Sequence, residues 1–577
     1  MANRKAPKIK QPLDPASEAW RKLPWRKLEQ HVYRIQKRIY RASQRGDTRA
    51  VQKLQKLLMK SEAARLLAVR RVTQDNQGKK TAGVDGVKAV SPKHRLVLAK
   101  QIHPKHWKHQ KPQPVRRVWI PKPGKAERRP LGIPTMLDRA KQALVKAGLE
   151  PEWEAMCEAN SYGFRPGRSC QDAIDAIFNH IKHKPKFVLD ADIKGCFDNI
   201  NQEALLLKLK TYPTMRHAVK AWLKAGVLEG MDFTPTEMGT PQGGVVSPLL
   251  ANIALHGLEA AAASVYRNKR RKPILIRYAD DFVILHPEKG MLDKATEAVT
   301  TWLKDMGLFL SPKKTRITHT LIPYEGNVGF DFLGFTVRQF PVGKTHTGRS
   351  RQGKPLGFKT LIKPSQEAIK RHTVEMKNRI RKLRGSTQEV LIKELNPVIR
   401  GWANYYRTVV SKEVYTDCDN ILYYQLIQWA QWRHLGKTAG WVKRQYWHLM
   451  GNRKWAFMTP EKETIKLHSM TKIIRPYVKV QGTASPYDGN LLYWAQRLKS
   501  HPMTRGKLTK LLQKQQGKCR WCELTFREDD LIEIDHIDGN HENDSLSNQI
   551  AIHRHCHDER HSKPIEEWKY AAGVNNK

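Results

Sequence analysis

Two stretches of the chain place carboxylates inside runs that are otherwise apolar. ILIRYADDFVIL, residues 274–285, has nine apolar or aromatic residues among twelve, with Asp280 and Asp281 side by side in the middle. That pattern predicts two strands joined by a turn. FVLDADIKGCFDNI, residues 187–200, is a second such run and carries Asp192. Buried neighbouring carboxylates repel each other and lose hydration, so they need either a compensating cation or an exposed position.

Two Mg²⁺ ions would make three carboxylates at one point favourable. If both runs belong to one sheet, Asp192 can lie beside Asp280 and Asp281, and hard oxygen ligands suit Mg²⁺. One ion would lower the pKa of an attacking 3′-hydroxyl, and the other would hold a triphosphate and stabilise the leaving oxygen. Polynucleotide synthesis uses this chemistry. By chemistry alone Asp190 competes with Asp192 as a ligand, and an exposed polar hairpin tip without metal is the alternative for the Asp pair.

The C-terminal part of the chain holds a second set of candidate ligands. Two pairs with the same x₂ spacing suit a tetrahedral structural Zn²⁺. The four ligands would be Cys519, Cys522, His553 and Cys556. His555 and His557 compete with His553, but the matched spacing favours His553. The other cysteines are scattered and are expected to be small buried residues.

Between the two pairs, the run DHIDGN begins with Asp535 and His536. Asp-His, followed by Asn548 and a Cys-His pair ending at His557, resembles the HNH nuclease motif, a ββα-metal module. The resemblance implies that His536 activates water as a general base. It also implies that Asp535 and His557 hold one divalent ion against the scissile phosphate, while Asn548 fixes the loop that orients His536. Many relatives carry four cysteine zinc ligands where this chain has His553. The alternative is a zinc ribbon that only grips DNA.

Charge and composition limit the partners. The chain has 577 residues, with 104 Lys and Arg against 54 Asp and Glu, a net charge of +50. So large an excess predicts a polyanionic partner, most simply nucleic acid, with an acidic membrane surface as the rival. No run of about 18 apolar residues occurs, and Met1–Lys10 lacks the apolar core of a signal peptide. We therefore expect a soluble intracellular protein; the family resemblance described below implies the cytoplasm of a prokaryote, with association with the nucleoid when the protein acts on DNA.

The elements that must position these residues can be followed along the chain. Residues 1–71 hold 20 Lys or Arg and 5 acids, and we expect basic helices that contact RNA, with a solvated basic helix as the plainer interpretation. Residues 118–134 predict a hairpin with a basic tip. Residues 185–345 alternate apolar runs with helical stretches, as an α+β core does, and 341–358 form a Gly-rich basic linker. Apolar stripes predict helices over 360–455, with most of their tryptophans in the core.

Several motifs resemble one family, in the family's order. They are RRPLGIPTMLDR (128–139), GFRPGRS (163–169), DIKGCFDNI (192–200), GTPQGGVVSPLLANI (239–253), YADD (278–281), LSPKKT (310–315), FDFLGF (330–335) and LNPVIRGWANYYR (395–407). Together they resemble the group II intron-encoded reverse transcriptases and maturases over about residues 70–577. The resemblance implies a multidomain α+β fold: a right-hand polymerase with fingers and palm, an α-helical thumb called domain X, a small DNA-binding region and a C-terminal ββα-metal HNH domain.

The same resemblance implies domain boundaries and metal ligands. The domains would be 1–70 for a basic N-terminal extension, 71–345 for fingers and palm, 360–455 for the thumb, 456–504 for the DNA-binding region and 505–577 for the HNH endonuclease. Asp192, Asp280 and Asp281 would ligate the two Mg²⁺ ions, and only the family motif selects Asp192 over Asp190. Phe197 would lie under the sugar and exclude a 2′-hydroxyl, a role compatible with that of a packed core residue.

The resemblance also implies a nucleotide pocket. Gln242 would line it, with neighbouring glycines permitting close backbone approach. Lys122 and Arg129 in the fingers would hold the triphosphate, and Lys314 is a secondary candidate near the same site. FDFLGF, residues 330–335, would form the primer grip.

Three linked functions are implied. The protein would bind its host group II intron RNA as a splicing maturase, cut the second strand of target DNA with the HNH module, and extend the new 3′ end with dNTPs as an RNA-directed DNA polymerase during retrohoming. No membrane partner is expected, and a homodimer is left open. One alternative is an RNA-binding splicing factor with a decayed polymerase, against which intact Asp192, YADD and Gln242 argue. Another is a reverse transcriptase with a defence or diversity role, against which the HNH module and LNPVIRGWANYYR argue.

Overall fold

Helices and short strands alternate along the chain in a computed structural model of the protein. The structure describes residues 15–88, 90–121, 127–266, 272–343, 345–450, 453–474, 476–498, 501–504, 506–526, 530–540 and 542–562. The helices are α1 (Pro15–Lys22), α2 (Trp25–Gln44), α3 (Thr48–Lys60), α4 (Glu62–Arg70), α5 (Pro92–Gln101), α6 (Met136–Met156), α7 (Cys170–Ile181), α8 (Cys196–Asn199), α9 (Gln202–Leu209), α10 (Pro213–Leu223), α11 (Ser247–Leu255), α12 (Leu258–Ala263), α13 (Lys289–Asp305), α14 (Gln366–Lys382), α15 (Gln388–Tyr406), α16 (Lys412–Arg433), α17 (Ala439–Tyr446), α18 (Leu491–Arg497), α19 (Lys507–Lys514) and α20 (Arg554–His561). The strands are β1 (Val115–Pro121), β2 (Arg128–Ile133), β3 (Phe187–Asp192), β4 (Val227–Glu229), β5 (Asp232–Thr234), β6 (Ile274–Tyr278), β7 (Asp281–His286), β8 (Arg316–His319), β9 (Phe330–Phe332), β10 (Phe335–Pro341), β11 (Phe358–Pro364), β12 (Trp447–Met450), β13 (Arg453–Phe457), β14 (Ile532–His536) and β15 (Gln549–His553).

The basic N-terminal helices are amphipathic and share a core with the polymerase region. On α2, Ile35 and Ile39 are buried at helical spacing, whereas Arg34 and Arg38 are exposed. Helices α2, α3 and α4 all pack against α6, and their buried side chains belong to the same apolar cluster as those of α6 and β3. The boundary expected at residue 70 therefore does not separate two independent cores.

The central sheet has the order β6-β7-β3-β8, with every neighbour antiparallel. The middle of β7, FVIL, is fully buried, because α13 packs on one side and the β9–β11 region lies on the other. This explains the near-continuous apolar run in the sequence. A second sheet, β2-β1-β4-β5, contains the expected β1–β2 hairpin, whose tip at 122–126 falls outside the described residues.

Helices α14 to α17 contribute to an apolar cluster of their own. Met376 and Ile380 of α14 pack there with side chains of α15 and α16, as the stripe in the sequence predicted. Ile465 and the buried His468 also belong to this region, although they lie beyond residue 455. The expected segment 456–504 is thus divided in space, because residues 477–498 instead pack near α7 and the loop before it.

The C-terminal part is a small ββα unit. Strands β14 and β15 pair antiparallel, with Asp535 opposite Ile550, and α20 follows β15 directly. Helix α19 packs against β15, so a few leucines and Ala551 supply one small core. Among the helices that the structure describes, none is both long and apolar enough to span a membrane.

Candidate functional site

The backbone register of the central sheet brings the three predicted carboxylates together. Tyr278 pairs with Asp281 where β6 turns into β7, and Asp192 at the end of β3 pairs with Asp281 on the other side. Asp280 lies in the turn itself, after Ala279, whose φ of 59° closes the tight connection. Three carboxylates therefore meet at one end of the sheet.

The electrostatics of this cluster favour a cation. Desolvation in the cleft, followed by the negative charges of Asp280 and Asp192, raises the pKa of Asp281 to about 7. Asp281 is exposed on one side of the sheet end, and the like charges of Asp280 and Asp192 add to the shift. Desolvation raises the pKa of Asp280 as well, and the cations Arg129 and Lys314 oppose that shift. A set of hard oxygen donors with unfavourable mutual repulsion fits divalent ions such as Mg²⁺.

Asp192 and Asp190 each pair with a cation but differ in their position along β3. Lys314 in LSPKKT places its Nζ 2.5 Å from Oδ2 of Asp192, and hydrogen bonding to Asp192 raises the pKa of this ammonium. Asp190 lies one pleat further back, opposite Val283, and pairs with Arg316 at 3.2 Å. Desolvation raises the pKa of Asp190 to about 6, and Arg316 opposes the shift. The position at the strand end, beside the turn, therefore belongs to Asp192.

Two of the predicted nucleotide-pocket residues, Phe197 and Gln242, are linked to each other through the loop at 239–244 and α8. Phe197 of α8 is partly buried against the core, and its backbone oxygen accepts from Thr240 N at 2.6 Å. Gln242 reaches Asp198 with its side-chain amide at 3.3 Å, while its carbonyl accepts from Gly132 N in β2 at 2.6 Å. The PQGG loop thus joins the β1–β2 hairpin to α8.

The β1–β2 hairpin contributes one described cation of the predicted pair. Arg129 lies on β2 opposite Ile120 and is close enough to lower the pKa of Asp280. Lys122 lies outside the described residues. The FDFLGF motif forms β9, a turn and the start of β10, and Tyr405 of α15 donates to Leu333 O at 3.0 Å, which attaches α15 to this turn.

Phe164 is a neighbour of the site that pattern reasoning did not single out. It follows Gly163 in GFRPGRS, has a φ of 59°, and leaves 47% of its surface exposed. Its ring meets that of Phe197 edge to face, with 6.2 Å between centroids. A positive φ on a bulky residue marks a backbone held by its surroundings. The signal available in the sequence was a Phe inside a Gly- and Arg-rich motif.

In the C-terminal unit, the structure brings the four predicted zinc ligands together. One ligand atom from each of Cys519, Cys522, His553 and Cys556 lies within 4.8 Å of all the others. His553 Nδ1 is 3.3 Å from the sulfur of Cys522, and its Nε2 is 3.1 Å from Asp530 Oδ2, which orients the ring. His555 stacks on His553 but lies outside this group of four. Three thiols and one imidazole are the donor set that suits Zn²⁺.

A second group of possible ligands lies on the same unit. Asp535, His557 and His561 offer ligand atoms that all lie within 4.8 Å of one another. Two of these were predicted, and His561 was not. The signal was available, because His557 and His561 are four residues apart and therefore share one face of α20. Arg560 is buried and pairs with Asp535 Oδ2 at 2.6 Å, so part of the Asp535 charge is already compensated.

His536 and Asn548 lie beside this second group. His536 ends β14, directly after Asp535, and its Nε2 is 3.1 Å from the side-chain amide nitrogen of Gln549. Asn548 accepts from Asp538 N at 3.1 Å and donates to the Asp538 carboxylate at 2.7 Å, which ties down the loop after His536. Asn548 therefore connects the end of β14 to the 538–548 loop, and its predicted role in orienting His536 stays a prediction.

Comparison with known families matches three regions of the chain. The family described as reverse transcriptase (RNA-dependent DNA polymerase) matches residues 120–337, and the N-terminal domain of reverse transcriptase matches residues 20–102. The maturase-specific domain of group II introns matches residues 369–447. The central sheet and its carboxylates thus lie within a reverse transcriptase-like polymerase fold of mixed α/β type.

Similar proteins agree with these matches. Group II intron-encoded protein LtrA of Lactococcus lactis subsp. cremoris is 32% identical over 378 residues, which cover 51% of this chain and 61% of LtrA. Protein YkfC of Escherichia coli K12 is 31% identical over 322 residues, covering 49% of this chain and 82% of YkfC. An apo telomerase structure from Candida tropicalis covers 45% of this chain and 61% of its own, at 14% identity and a TM-score of only 0.33. On the sequence matches, the chain belongs to the family of group II intron-encoded reverse transcriptases and maturases.

Proposed function

We propose that the protein is an RNA-directed DNA polymerase that also acts as the splicing maturase of a host group II intron. The observation that carries the polymerase proposal is the register that pairs Asp192 with Asp281 beside Asp280. The decayed-polymerase alternative is disfavoured, because this geometry is intact. The defence or diversity alternative is disfavoured by the maturase-specific match at residues 369–447.

Different residues of the site would bind the metal ions and the phosphates of the nucleotide. Asp192, Asp280 and Asp281 would hold two Mg²⁺ ions, which supply charge neutralisation for the attacking 3′-hydroxyl and the triphosphate. Arg129, together with Lys122, would hold the phosphates of the incoming dNTP from the fingers. Lys314 already contacts Asp192 and would limit repulsion there.

The substrate sugar and base would be selected on the other side of the cleft. Phe197 would lie under the sugar and exclude a 2′-hydroxyl, and Gln242 would line the pocket next to Asp198. The backbone link from Gln242 to Gly132 supports this arrangement, since it fixes the pocket wall to the fingers strand that carries Arg129.

The test is primer extension on an RNA template with dNTPs and Mg²⁺. We expect Asp280→Asn, Asp281→Asn and Asp192→Asn each to lower the extension rate by about 10²- to 10³-fold or more, since a neutral amide is a far weaker Mg²⁺ ligand. Asp190→Asn is the matched control, on the same strand and two residues away, and should be milder. Wild-type rates in any of the three variants would contradict the ligand assignment, and a larger loss in Asp190→Asn would reassign it.

The maturase part of the proposal rests on the family match and on charge. The net charge of +50 and the exposed arginines of α2 suit an RNA partner, and the thumb region coincides with the maturase-specific match. The protein should co-purify with an intron lariat RNA, identified by sequencing, and should promote its splicing at low Mg²⁺. Recovery of no intron RNA and no stimulation of splicing would contradict this part alone.

A second activity is favoured by the two ligand groups of the ββα unit. We infer that residues 505–577 form an HNH-type DNA endonuclease that cuts the second target strand, so that the new 3′ end primes synthesis. Zn²⁺ at Cys519, Cys522, His553 and Cys556 would hold the fold. One divalent ion at Asp535 and His557, with His561, would face the scissile phosphate, and His536 would accept a proton from water.

The nuclease is tested by nicking of target DNA that already carries the inserted intron RNA in one strand. His536→Ala should abolish nicking and keep the zinc, because the base and the zinc ligands are different residues. His555→Ala is the matched control, since His555 is exposed and belongs to neither ligand group. Nicking by His536→Ala at the wild-type rate, or loss of its zinc, would contradict this division of roles.

A further inference from the structure

The loop before α7 touches the catalytic turn directly. A Cβ on Gly163 would lie 2.2 Å from Ala279 N, so the backbone of the loop packs closely against the turn that carries Asp280. Asn252 donates to Gly163 O at 2.8 Å, and Tyr162 N donates to Arg277 O at 2.9 Å. The loop therefore backs the YADD turn through main-chain contacts, which leave little freedom for independent movement.

The same loop also supports the ring expected to select the sugar. Phe164, next to Gly163, meets the Phe197 ring edge to face at 6.2 Å. Any displacement of the loop would therefore shift both the position of Asp280 and the support of Phe197.

On its far side, the loop is held by a distant part of the chain. We call residues 477–498 the docking segment. Arg168 donates to Gly482 O at 2.7 Å and to Ala484 O at 3.2 Å. The ring of Trp494, which is fully buried, lies where a Cβ on Gly167 would be only 2.6 Å away. Gly167 has a φ of 71°, so both its backbone and the ring contact require glycine.

The docking segment also binds the first turn of α7. Asp172 is buried, and one of its carboxylate oxygens accepts from Ser169 N in the capping box. The other oxygen accepts from Val480 N at 2.8 Å and from Arg497 Nη2 at 3.0 Å. One carboxylate thus joins the helix cap to a segment more than 300 residues away in sequence.

The opposite side of the docking segment is attached to the N-terminal helices and α6. Tyr33 donates to Pro486 O at 3.0 Å, and Tyr487 donates to Glu150 at 2.8 Å. The segment is therefore clamped between the basic helices and the loop that backs the catalytic turn, with buried polar contacts on both sides.

We propose that the docking segment positions the polymerase site, with Trp494 and Arg497 acting through the 163–172 loop on Asp280 and Phe197. The inference rests on the proposed polymerase function and deepens it, because it makes part of the C-terminal half an obligatory element of the polymerase. Helix α19 of the C-terminal unit packs against α18, and Gln513 donates to Ala495 O at 2.7 Å, but the contacts to the 163–172 loop come from residues 477–498.

The test compares full-length variants in RNA-templated primer extension. We expect Trp494→Ala to lower kcat for deoxynucleotide addition by about 10- to 100-fold, the scale of a small misplacement at a reacting centre, with a smaller change in KM. It should also raise ribonucleotide incorporation relative to deoxyribonucleotide incorporation. Trp494→Phe, which keeps a ring over Gly167, should recover most of both. Arg497→Ala should show the same two changes at smaller size.

Gln496→Ala is the matched control, because Gln496 lies exposed on the same helix. It should leave both readouts unchanged. Thermal unfolding reports whether each variant is folded at the assay temperature, and Arg497→Ala provides the test if Trp494→Ala unfolds. Wild-type kcat and sugar ratio in folded Trp494→Ala or Arg497→Ala chains would overturn the inference. If the wild-type chain itself extends no primer, the proposed function fails instead.

Discussion

The palm carboxylates and the C-terminal ligand groups differ in what holds them in place. Asp192 and Asp281 are placed by the register of neighbouring strands, inside a sheet covered by a large apolar cluster. The four candidate zinc ligands come from one turn, the end of β15 and the first turn of α20, and Cys519 and Cys556 are themselves members of a very small core. Backbone hydrogen bonds can fix the palm geometry before any metal binds. In the ββα unit, the metal would supply much of the stability itself.

The largest effect that would separate the two regions is removal of zinc. We expect about one tightly held zinc per chain, lost in Cys519→Ser or Cys556→Ser and on strong chelation. Structural zinc contributes apparent binding free energies of about 10–16 kcal/mol in small metal domains, so the ββα unit should unfold. Primer extension, assayed with Mg²⁺ restored, should remain. Elemental analysis gives the zinc content, and protease sensitivity beyond residue 505 reports unfolding.

Cys418→Ser is the control for this prediction, since Cys418 is buried in α16, far from the ligand group in sequence and outside it in space. Its zinc content should be unchanged. If the variants that lose zinc also lose primer extension, this prediction is wrong, because the folding of the polymerase region would then depend on that of the ββα unit.

A smaller effect is expected at Phe197, on the choice between ribonucleotides and deoxyribonucleotides. Phe197→Ala or Phe197→Val should raise ribonucleotide incorporation relative to deoxyribonucleotide incorporation by about 10- to 200-fold, the range that one small group in a tight pocket can discriminate. Single-turnover incorporation of each nucleotide class gives the ratio. Phe340→Ala, in β10 and outside the site, is the control. An unchanged ratio in a folded Phe197 variant would make Phe197 a core residue and nothing more.

The sequence predicted the features that depend on residues close together along the chain. It did not predict the features that depend on contacts between distant segments. The adjacent pair Asp280-Asp281 and the two x₂ ligand pairs are local patterns, and the structure keeps each pattern together. Asp190 and Asp192 point to the same face of one strand, so no local pattern separates them. Their distinction comes from the pairing of Asp192 with Asp281, a contact between segments almost ninety residues apart.

The docking of residues 477–498 was not predictable for the same reason. Periodicity reports which face of an element is buried and carries no information on what covers it. The contact between Arg497 and Asp172 spans 325 residues. His561 is the opposite case, because its helical spacing from His557 is a local pattern that sequence alone displays.

A third prediction concerns pH and tests the like-charge repulsion in the palm. The pKa of Asp281 is raised to about 7 in the metal-free protein, so protons and Mg²⁺ should compete for it near neutral pH. The pH at which the extension rate is half-maximal should fall as the Mg²⁺ concentration rises, by at most about one pH unit per tenfold increase. An Mg²⁺-independent pH profile would show that Asp281 does not take part in metal binding.

The same shift has a consequence for stability, with a definite sign. A carboxyl whose pKa is higher in the folded state binds fewer protons when unfolded, so its contribution to stability falls as pH rises between the two pKa values. Metal-free protein should therefore lose stability from about pH 4 to pH 7 through this group, and Asp281→Asn should reduce that slope. Thermal unfolding in chelator at several pH values measures it.

The smallest expected effect is on splicing, which should not change when the palm carboxylates are removed. Asp280→Ala with Asp281→Ala takes away two groups whose raised pKa values show that their charges are unfavourable in the metal-free fold, so folding should be preserved. Holding an intron RNA in shape requires a basic surface and no metal at YADD. Intron splicing at low Mg²⁺, with and without the double variant, measures this.

Unlike removal of the carboxylates, changes on the basic face of the N-terminal helices should affect intron binding. Reversing charges among Arg34, Lys37, Arg38 and Arg41 should weaken intron binding, and the effect should be clearest for Arg34 and Arg38, which are exposed on α2. Removing one phosphate-binding cation should flatten the salt dependence of binding by roughly 0.7–0.9 in log–log slope. If instead the double Asp variant folds and binds the RNA yet fails to promote splicing, polymerase and maturase share one site. The palm would then be a part of the RNA scaffold, because the same carboxylates would be needed where no nucleotide is added.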